Sequence, residues 1–207
     1  MAGDVVIGDP QVDKSRRVFL TAATAATGAI GVALAVVPFI SSWLPSERAR
    51  AFGAPTSLDL SKLDAGQMVV VIWRKQPIYV VRRTAAMLAR LEGHDDRLKD
   101  PTSLHSDQPA YAKNTVRARK PEYLVLIGIC THLGCLPKAR FAAAIPELGA
   151  DWPGGFFCPC HGSRFDLSGR VFDGSPASIN LRVPPYAYEG EQTLVIGVDS
   201  VAPKGAA

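Results

Sequence analysis

Apolar and polar positions along the chain fall into three regimes. Residues 18–46 carry no charge, and the apolar run over residues 19–40, at about 1.5 Å per residue, is long enough to cross a hydrocarbon core of about 30 Å as one helix. Pro45-Ser46-Glu47-Arg48-Ala49-Arg50-Ala51-Phe52-Gly53-Ala54-Pro55 is polar and small, and its Pro and Gly residues end the helix and open a linker. Beyond it the period changes. Met68–Trp73 and residues 78–81 are β-branched runs separated by Lys75-Gln76-Pro77, which predicts a hairpin. Residues 84–91 have helical spacing through Met87, Leu88 and Leu91, and Tyr123–Ile127 and Thr193–Ile196 predict further strands. Residues 92–120 are polar and Pro-containing and predict a surface excursion, in which His94 and His105 are expected to be solvated and without a role. Many short strands with Pro and Gly turns predict a mainly β molecule, an antiparallel all-β head behind one N-terminal helix.

Composition narrows the function. With 23 basic against 19 acidic residues the net charge is +4, and no Lys/Arg run is long enough to suggest nucleic acid. Hydrophobic residues at 47% against 20% charged exclude a disordered chain. Four cysteines are too few for a disulfide-dense scaffold, and they fall in two tight clusters. Neither a nucleophile–base pair nor a phosphate-binding loop is visible, so the chain does not read as an enzyme that works alone.

The N-terminus reads as an address and an anchor. Ser15-Arg16-Arg17-Val18-Phe19-Leu20 resembles the twin-arginine export signal, which carries folded proteins. No small-x-small cleavage site follows the apolar run, so the helix is expected to be retained. Ala22, Ala25, Gly28, Gly31 and Ala35 allow close packing on other membrane helices, and Trp43 reads as an interface residue. Lys14, Arg16 and Arg17 place the N-terminus on the cytoplasmic side and the head in a bacterial periplasm. The expected organisation is a tail over 1–18, a transmembrane anchor over 19–42, a flexible hinge over 43–55 and the head over 56–207.

The candidate chemistry lies in Cys130-Thr131-His132-Leu133-Gly134-Cys135 and Cys158-Pro159-Cys160-His161-Gly162-Ser163. Each segment offers a cysteine and a histidine as ligands, with one cysteine over. A tetrahedral zinc site of two cysteines and two histidines would use neither spacing of a zinc finger and would leave two cysteines idle. In an exported domain an idle pair becomes a disulfide.

These two boxes resemble those of the Rieske iron–sulfur proteins position for position. The likeness extends to Lys120-Pro121-Glu122-Tyr123-Leu124-Val125 before the first box and to Phe165-Asp166-Leu167-Ser168-Gly169-Arg170 after the second. It is nearest to the Rieske subunits of proteobacterial cytochrome bc1 complexes. The resemblance implies a [2Fe–2S] cluster with Cys130 and Cys158 on one iron and His132 and His161 on the other. It also implies a disulfide between Cys135 and Cys160, which by loop entropy should add on the order of 3 kcal/mol. It further implies electron transfer from ubiquinol to a c-type cytochrome, coupled to proton translocation, in a dimeric complex with cytochrome b and cytochrome c1. His161 is then expected to hydrogen-bond the quinol and take up its proton, His132 to serve docking, and Leu133 to pack at the cytochrome b surface. Ser163 is expected to hydrogen-bond a bridging sulfide. Phe165 stands where many relatives have a tyrosine donating to a cysteine sulfur, which implies a lower potential here. Gly174-Ser175-Pro176-Ala177 resembles the loop that shields the cluster, with altered residues, and residues 140–153 form an insertion without an assigned role. A small Rieske subunit of an arsenite oxidase and a tethered zinc-binding module are the competing readings. A soluble Rieske ferredoxin is excluded by the anchor.

Overall fold

The computed structural model describes residues 13–200. The chain divides into two compact units, Met1–Arg50 and Ala51–Ala207. In the first, helix α1 (Lys14–Ser42) begins at Asp13, whose carboxylate accepts the N–H groups of Ser15 and Arg16. The predicted twin-arginine segment is therefore the helix's first turns, and residues 1–12 of the predicted tail lie outside the described residues. Thr21, Thr24 and Thr27 donate their hydroxyls back to carbonyls one turn earlier. Their polar groups are thereby satisfied within the helix, as a hydrocarbon environment demands. α1 is long and apolar enough to span a membrane, and none of its residues is buried. Within the predicted hinge, Glu47–Gly53 form a short helix α2, capped by Ser46 Oγ on the Ala49 N–H and tied by an Arg50–Glu47 pair.

The head is built from three antiparallel three-stranded sheets. β1 (Thr56–Asp59), β9 (Thr193–Ile196) and β8 (Tyr186–Glu189) form one, in the order β1-β9-β8. β2 (Met68–Trp73), β3 (Gln76–Arg82) and β4 (Tyr123–Ile127) form the second. β5 (Lys138–Arg140), β6 (Gly155–Cys158) and β7 (Ser163–Phe165) form the third, which carries the second cysteine box. β3 is central in its sheet, so Ile78, Val80 and Val81 are fully buried and read as one apolar run rather than an alternation. The predicted helix forms as α3 (Ala85–Ala89), capped by Thr84 Oγ1.

Two expectations are corrected. The β2–β3 turn is Arg74-Lys75, both with positive φ (50° and 62°), while Gln76 and Pro77 already pair with Trp73 and Ile72. The connection is thus one residue earlier and one shorter than the expected Lys75-Gln76-Pro77, and it lacks the Asn-Gly pair that two-residue hairpin turns of this hand usually take. Pro77 is tolerated because it lies at the start of its strand.

The polar stretch 92–120 is a surface excursion only in part, because it sends several polar side chains inward. Asp100, Ser103, Ser106 and Arg117 are buried, as is His94, only 5% exposed and stacked on Phe172 at 5.5 Å. His105 is exposed, as expected. The buried polar groups of the stretch are paired with one another and with backbone rather than with water. Asp100 accepts the N–H groups of Leu104, His105 and Ser106 and the Ser106 hydroxyl. Burial pushes its carboxyl pKa up, and these four bonds outweigh that and hold it below the usual value.

Beneath the third sheet lies an ionic base. Fully buried Asp166 accepts the N–H groups of Ser168 and Arg170 and the Arg170 Nε–H at 2.7 Å, and faces His94 at 3.3 Å. Arg170 also reaches Asp95, Pro101 O and Leu91 O. Arg83 and Arg117 grip the same turn through Leu167 O, Ser168 and Gly169 O. Burial lowers both guanidinium pKa values to about 10, so both stay charged at neutral pH. The insertion after β5 carries its own small core of Leu148 and Trp152 packed on Leu98 and Phe172, closed by Ala144 N–H on Trp152 O.

Candidate metal centre

The two boxes fold into loops with one shared frame. In the first, Gly134 N–H donates to Cys130 O at 3.0 Å; in the second, Gly162 N–H donates to Cys158 O at 3.0 Å. Both glycines have φ near +80°, so the turn that brings each histidine back over its cysteine requires them. Cys135 and Cys160 are disulfide-bonded across the loops, with Cα atoms 6.6 Å apart. Cys130 and Cys158 remain free and buried.

The four remaining donors fall into two close pairs, one of thiols and one of imidazoles. Cys130 and Cys158 lie close enough for their thiols to hydrogen-bond, and the His132 and His161 rings meet edge to face at 4.7 Å between centroids. Burial pushes the Cys158 thiol pKa up and the Cys130 thiol adds to that, while the N–H groups of Cys160 and His161 oppose it. Those N–H groups favour a negatively charged sulfur, as a ligand thiolate is. His132 Nδ1 is buried without a hydrogen-bond partner, a cost a metal bond removes. The Cys158 sulfur also lies within 4.8 Å of those of Cys135 and Cys160, but the disulfide consumes both of these. Two thiolates and two imidazoles at one end of the head thus fit a [2Fe–2S] group of mixed ligation.

The other expected residues are placed as follows. Leu133 is 69% exposed beside the site, and Leu136, which had not been singled out, is 56% exposed. His161 is exposed, while His132 is half-buried and lines a depression of about 260 Å³ together with Gln76 and Arg182. Ser163 is fully buried, and its Oγ accepts the Ala177 N–H at 3.1 Å from the shielding loop. That leaves the hydroxyl hydrogen to be donated elsewhere. Phe165 is fully buried opposite Phe156 and brings no hydroxyl.

Two supports were invisible in the sequence. Thr131 Oγ1 donates to Ile179 O at 2.6 Å, pinning the first loop to the chain after the shielding loop. Tyr79, stacked on Phe156, donates its hydroxyl to Pro137 O at 3.0 Å, and only glycine at 128 fits under its ring, since a Cβ there would lie 2.3 Å away. That hydroxyl is committed to the backbone, so it does not replace the one Phe165 lacks.

Comparison with known proteins agrees with this geometry. Residues 57–185 match the family described as Rieske [2Fe-2S] domain, and residues 8–46 match Ubiquitinol-cytochrome C reductase Fe-S subunit TAT signal. The ubiquinol-cytochrome c reductase iron-sulfur subunit of Allochromatium vinosum is 53% identical over 188 residues, covering 91% of each chain. That of Rhodospirillum rubrum is 42% identical, covering 91% of this chain and 94% of its own. The mitochondrial Rieske subunit of the cytochrome b-c1 complex of Schizosaccharomyces pombe is 38% identical over 81% of this chain and 64% of its own.

Proposed function

The chain belongs to the Rieske [2Fe-2S] iron–sulfur subunits of ubiquinol–cytochrome c reductase, and from that premise we propose that Cys130, Cys158, His132 and His161 hold its cluster and that His161 meets the quinol. It is an electron-transfer subunit of a membrane oxidoreductase complex and carries one Rieske cluster. The zinc-module and arsenite-oxidase readings fall with that membership.

A cluster with two imidazole ligands takes up one electron at about −150 to +300 mV, against about −400 mV for a plant-type four-thiolate cluster, a range matched to quinol oxidation. The protein's own residues then divide the work. Cys130 and Cys158 are buried, which keeps their thiolates from water, and backbone N–H groups also point at the Cys158 sulfur. The disulfide and the paired glycine turns hold both imidazoles at the surface. His161, the more exposed ring, accepts or donates the hydrogen bond to the quinol hydroxyl, and His132 serves docking on the c-type cytochrome. Leu133 packs against cytochrome b and excludes water from the quinol. Ser163 donates its hydroxyl to a bridging sulfide, and Phe165 leaves one such bond unmade.

The partners in this reading are cytochrome b, cytochrome c1 and ubiquinol, in a dimeric complex. Residues 1–18 stay cytoplasmic, 19–42 span the inner membrane, and the head over 56–207 works in the periplasm. Residues 43–55 form the hinge on which the head moves between quinol and cytochrome. Since Glu47–Gly53 are helical, its freedom lies in the residues flanking α2.

The observation that supports this reading is a close pair of free thiols and a close pair of imidazoles on two loops joined by a disulfide. The test is EPR of ascorbate-reduced membranes with and without an inhibitor of quinol oxidation. A Rieske signal perturbed by the inhibitor is expected. A signal blind to the inhibitor would refute the role of His161, and loss of the signal should follow replacement of any of the four ligands.

A further inference from the structure

Lys99 lies outside both boxes, yet its ammonium reaches the site's third wall. Its backbone N–H donates to Val171 O at 3.0 Å, next to the bridge between Leu98 and Phe172. From there Nζ donates to Ser175 O at 2.7 Å and to Ala177 O at 2.9 Å. These carbonyls stand on either side of the Pro176–Ala177 peptide, whose N–H is the one that donates to Ser163 Oγ at 3.1 Å. The loop has a second tie to β7, the Arg164 N–H on Ser175 Oγ at 3.1 Å. Pro176 brings no N–H of its own, so the loop holds itself poorly and depends on such outside bonds.

We propose that Lys99 is a positioning residue for the redox potential: by gripping the carbonyls that flank the Ala177 N–H, it keeps that N–H on Ser163 Oγ and so aims the Ser163 hydroxyl hydrogen into the metal centre. The inference rests on the cluster assignment above. A hydroxyl is a rotor, and filling one of its lone pairs confines where its hydrogen can point. The two bonds from Lys99 are charge-assisted and roughly twice as strong as neutral ones. If they are lost, Ala177 drifts, the Ser163 rotor loosens, and its bond to cluster sulfur weakens. A weaker bond to sulfur stabilises the reduced, more negative state less, so the potential falls.

The test is an EPR-monitored redox titration of the purified, cluster-loaded complex. Lys99→Met should lower the ratio of reduced to oxidised cluster at fixed ambient potential about threefold, which is about 28 mV at 59 mV per tenfold. Lys99→Arg keeps both the charge and the two donors and should restore the wild-type midpoint. In a Ser163→Ala background, Lys99→Met should add no further shift, because the residue it acts through is gone. Amide exchange over residues 174–177 should quicken in Lys99→Met and not in Lys99→Arg. A midpoint in Lys99→Met equal to wild type overturns the proposal. An equal shift with and without Ser163 also overturns it, since Lys99 would then act as a through-space charge. A wild-type complex lacking any Rieske signal would instead overturn the cluster assignment beneath it. Lys99 is exposed, so the variants strand no buried charge and should fold.

Discussion

In the first ligand loop Gly134 N–H returns to Cys130 O, and in the second Gly162 N–H returns to Cys158 O, yet the two loops stand on different ground. The first exposes Leu133 and Leu136 and hangs from the rest of the head by side-chain bonds from Thr131 and Tyr79 to distant carbonyls. The second runs directly into β7 and Asp166, so its root is the ionic base of Asp166, Arg170, Arg83 and Arg117. One loop is built to present apolar surface to a partner, the other to hold position. The disulfide lets the first borrow the rigidity of the second. A metal centre that must be touched from outside can therefore be stiff without being buried.

The harshest way to break the comparison is to remove the ground under the second loop. Asp166→Asn removes the one fully buried carboxylate on Arg170, leaving it only the half-exposed Asp95, and should cost about 3–5 kcal/mol, read by urea unfolding of the head. The pH dependence should change with it. Burial alone would raise the Asp166 pKa, but His94 and Arg170 bring it below the usual 3.8. Its contribution is therefore complete above the unfolded value and lost as pH falls through the folded one. Wild-type stability should drop below about pH 4, with a shallower fall in Asp166→Asn. An equally steep acid limb in the variant would show that Asp166 is not the group responsible.

Cutting the link between the loops comes next. Replacing Cys135 and Cys160 together by serine should cost about 3.5 kcal/mol by loop entropy. Iron content should persist at reduced stability, because the proposed ligands are the other four residues. Iron lost at a temperature where the head is still folded would mean that the first loop cannot hold a ligand unaided.

Thr131→Val isolates the first loop's own tether. Losing the bond to Ile179 O should cost about 1 kcal/mol, seen as a lower urea midpoint with an unchanged slope. A loss of several kcal/mol would place the first loop on the same footing as the second.

The mildest change sharpens the picture of the second loop. Phe165→Tyr returns a hydroxyl to the wall of the centre and should raise the midpoint potential by tens of millivolts, on the order seen for bonds to cluster sulfur, with little effect on unfolding. An unchanged midpoint would remove Phe165 from the residues that set the potential.

Those parts of the head with their own periodicity were legible in the sequence. β2, β3, β4 and β9 follow from β-branched runs, and the proposed donors come from the resemblance of the two boxes to the Rieske pattern. β5 to β7 are only three or four residues long and share their span with a cysteine, a glycine and two arginines, so no pattern announces them. Of the ionic base, Arg117, Asp95 and His94 fall in the stretch expected at the surface, because charged and polar side chains look solvated until their partners are known. Thr131 and Lys99 were silent for the same reason: their acceptors are backbone carbonyls 48 to 78 residues away.

The strand order has a consequence for how the protein is made. Among the described residues β1 pairs only with β9, Arg119 Nη2 reaches Asp199 O, and Thr131 waits for Ile179, so the head closes only when β9 has left the ribosome. Synthesis at about 5–20 residues per second leaves the two boxes without their final surroundings for seconds after they emerge. A chain finished in this order has little to gain from being threaded across a membrane piece by piece. Behind a twin-arginine leader it can be completed first and moved afterwards.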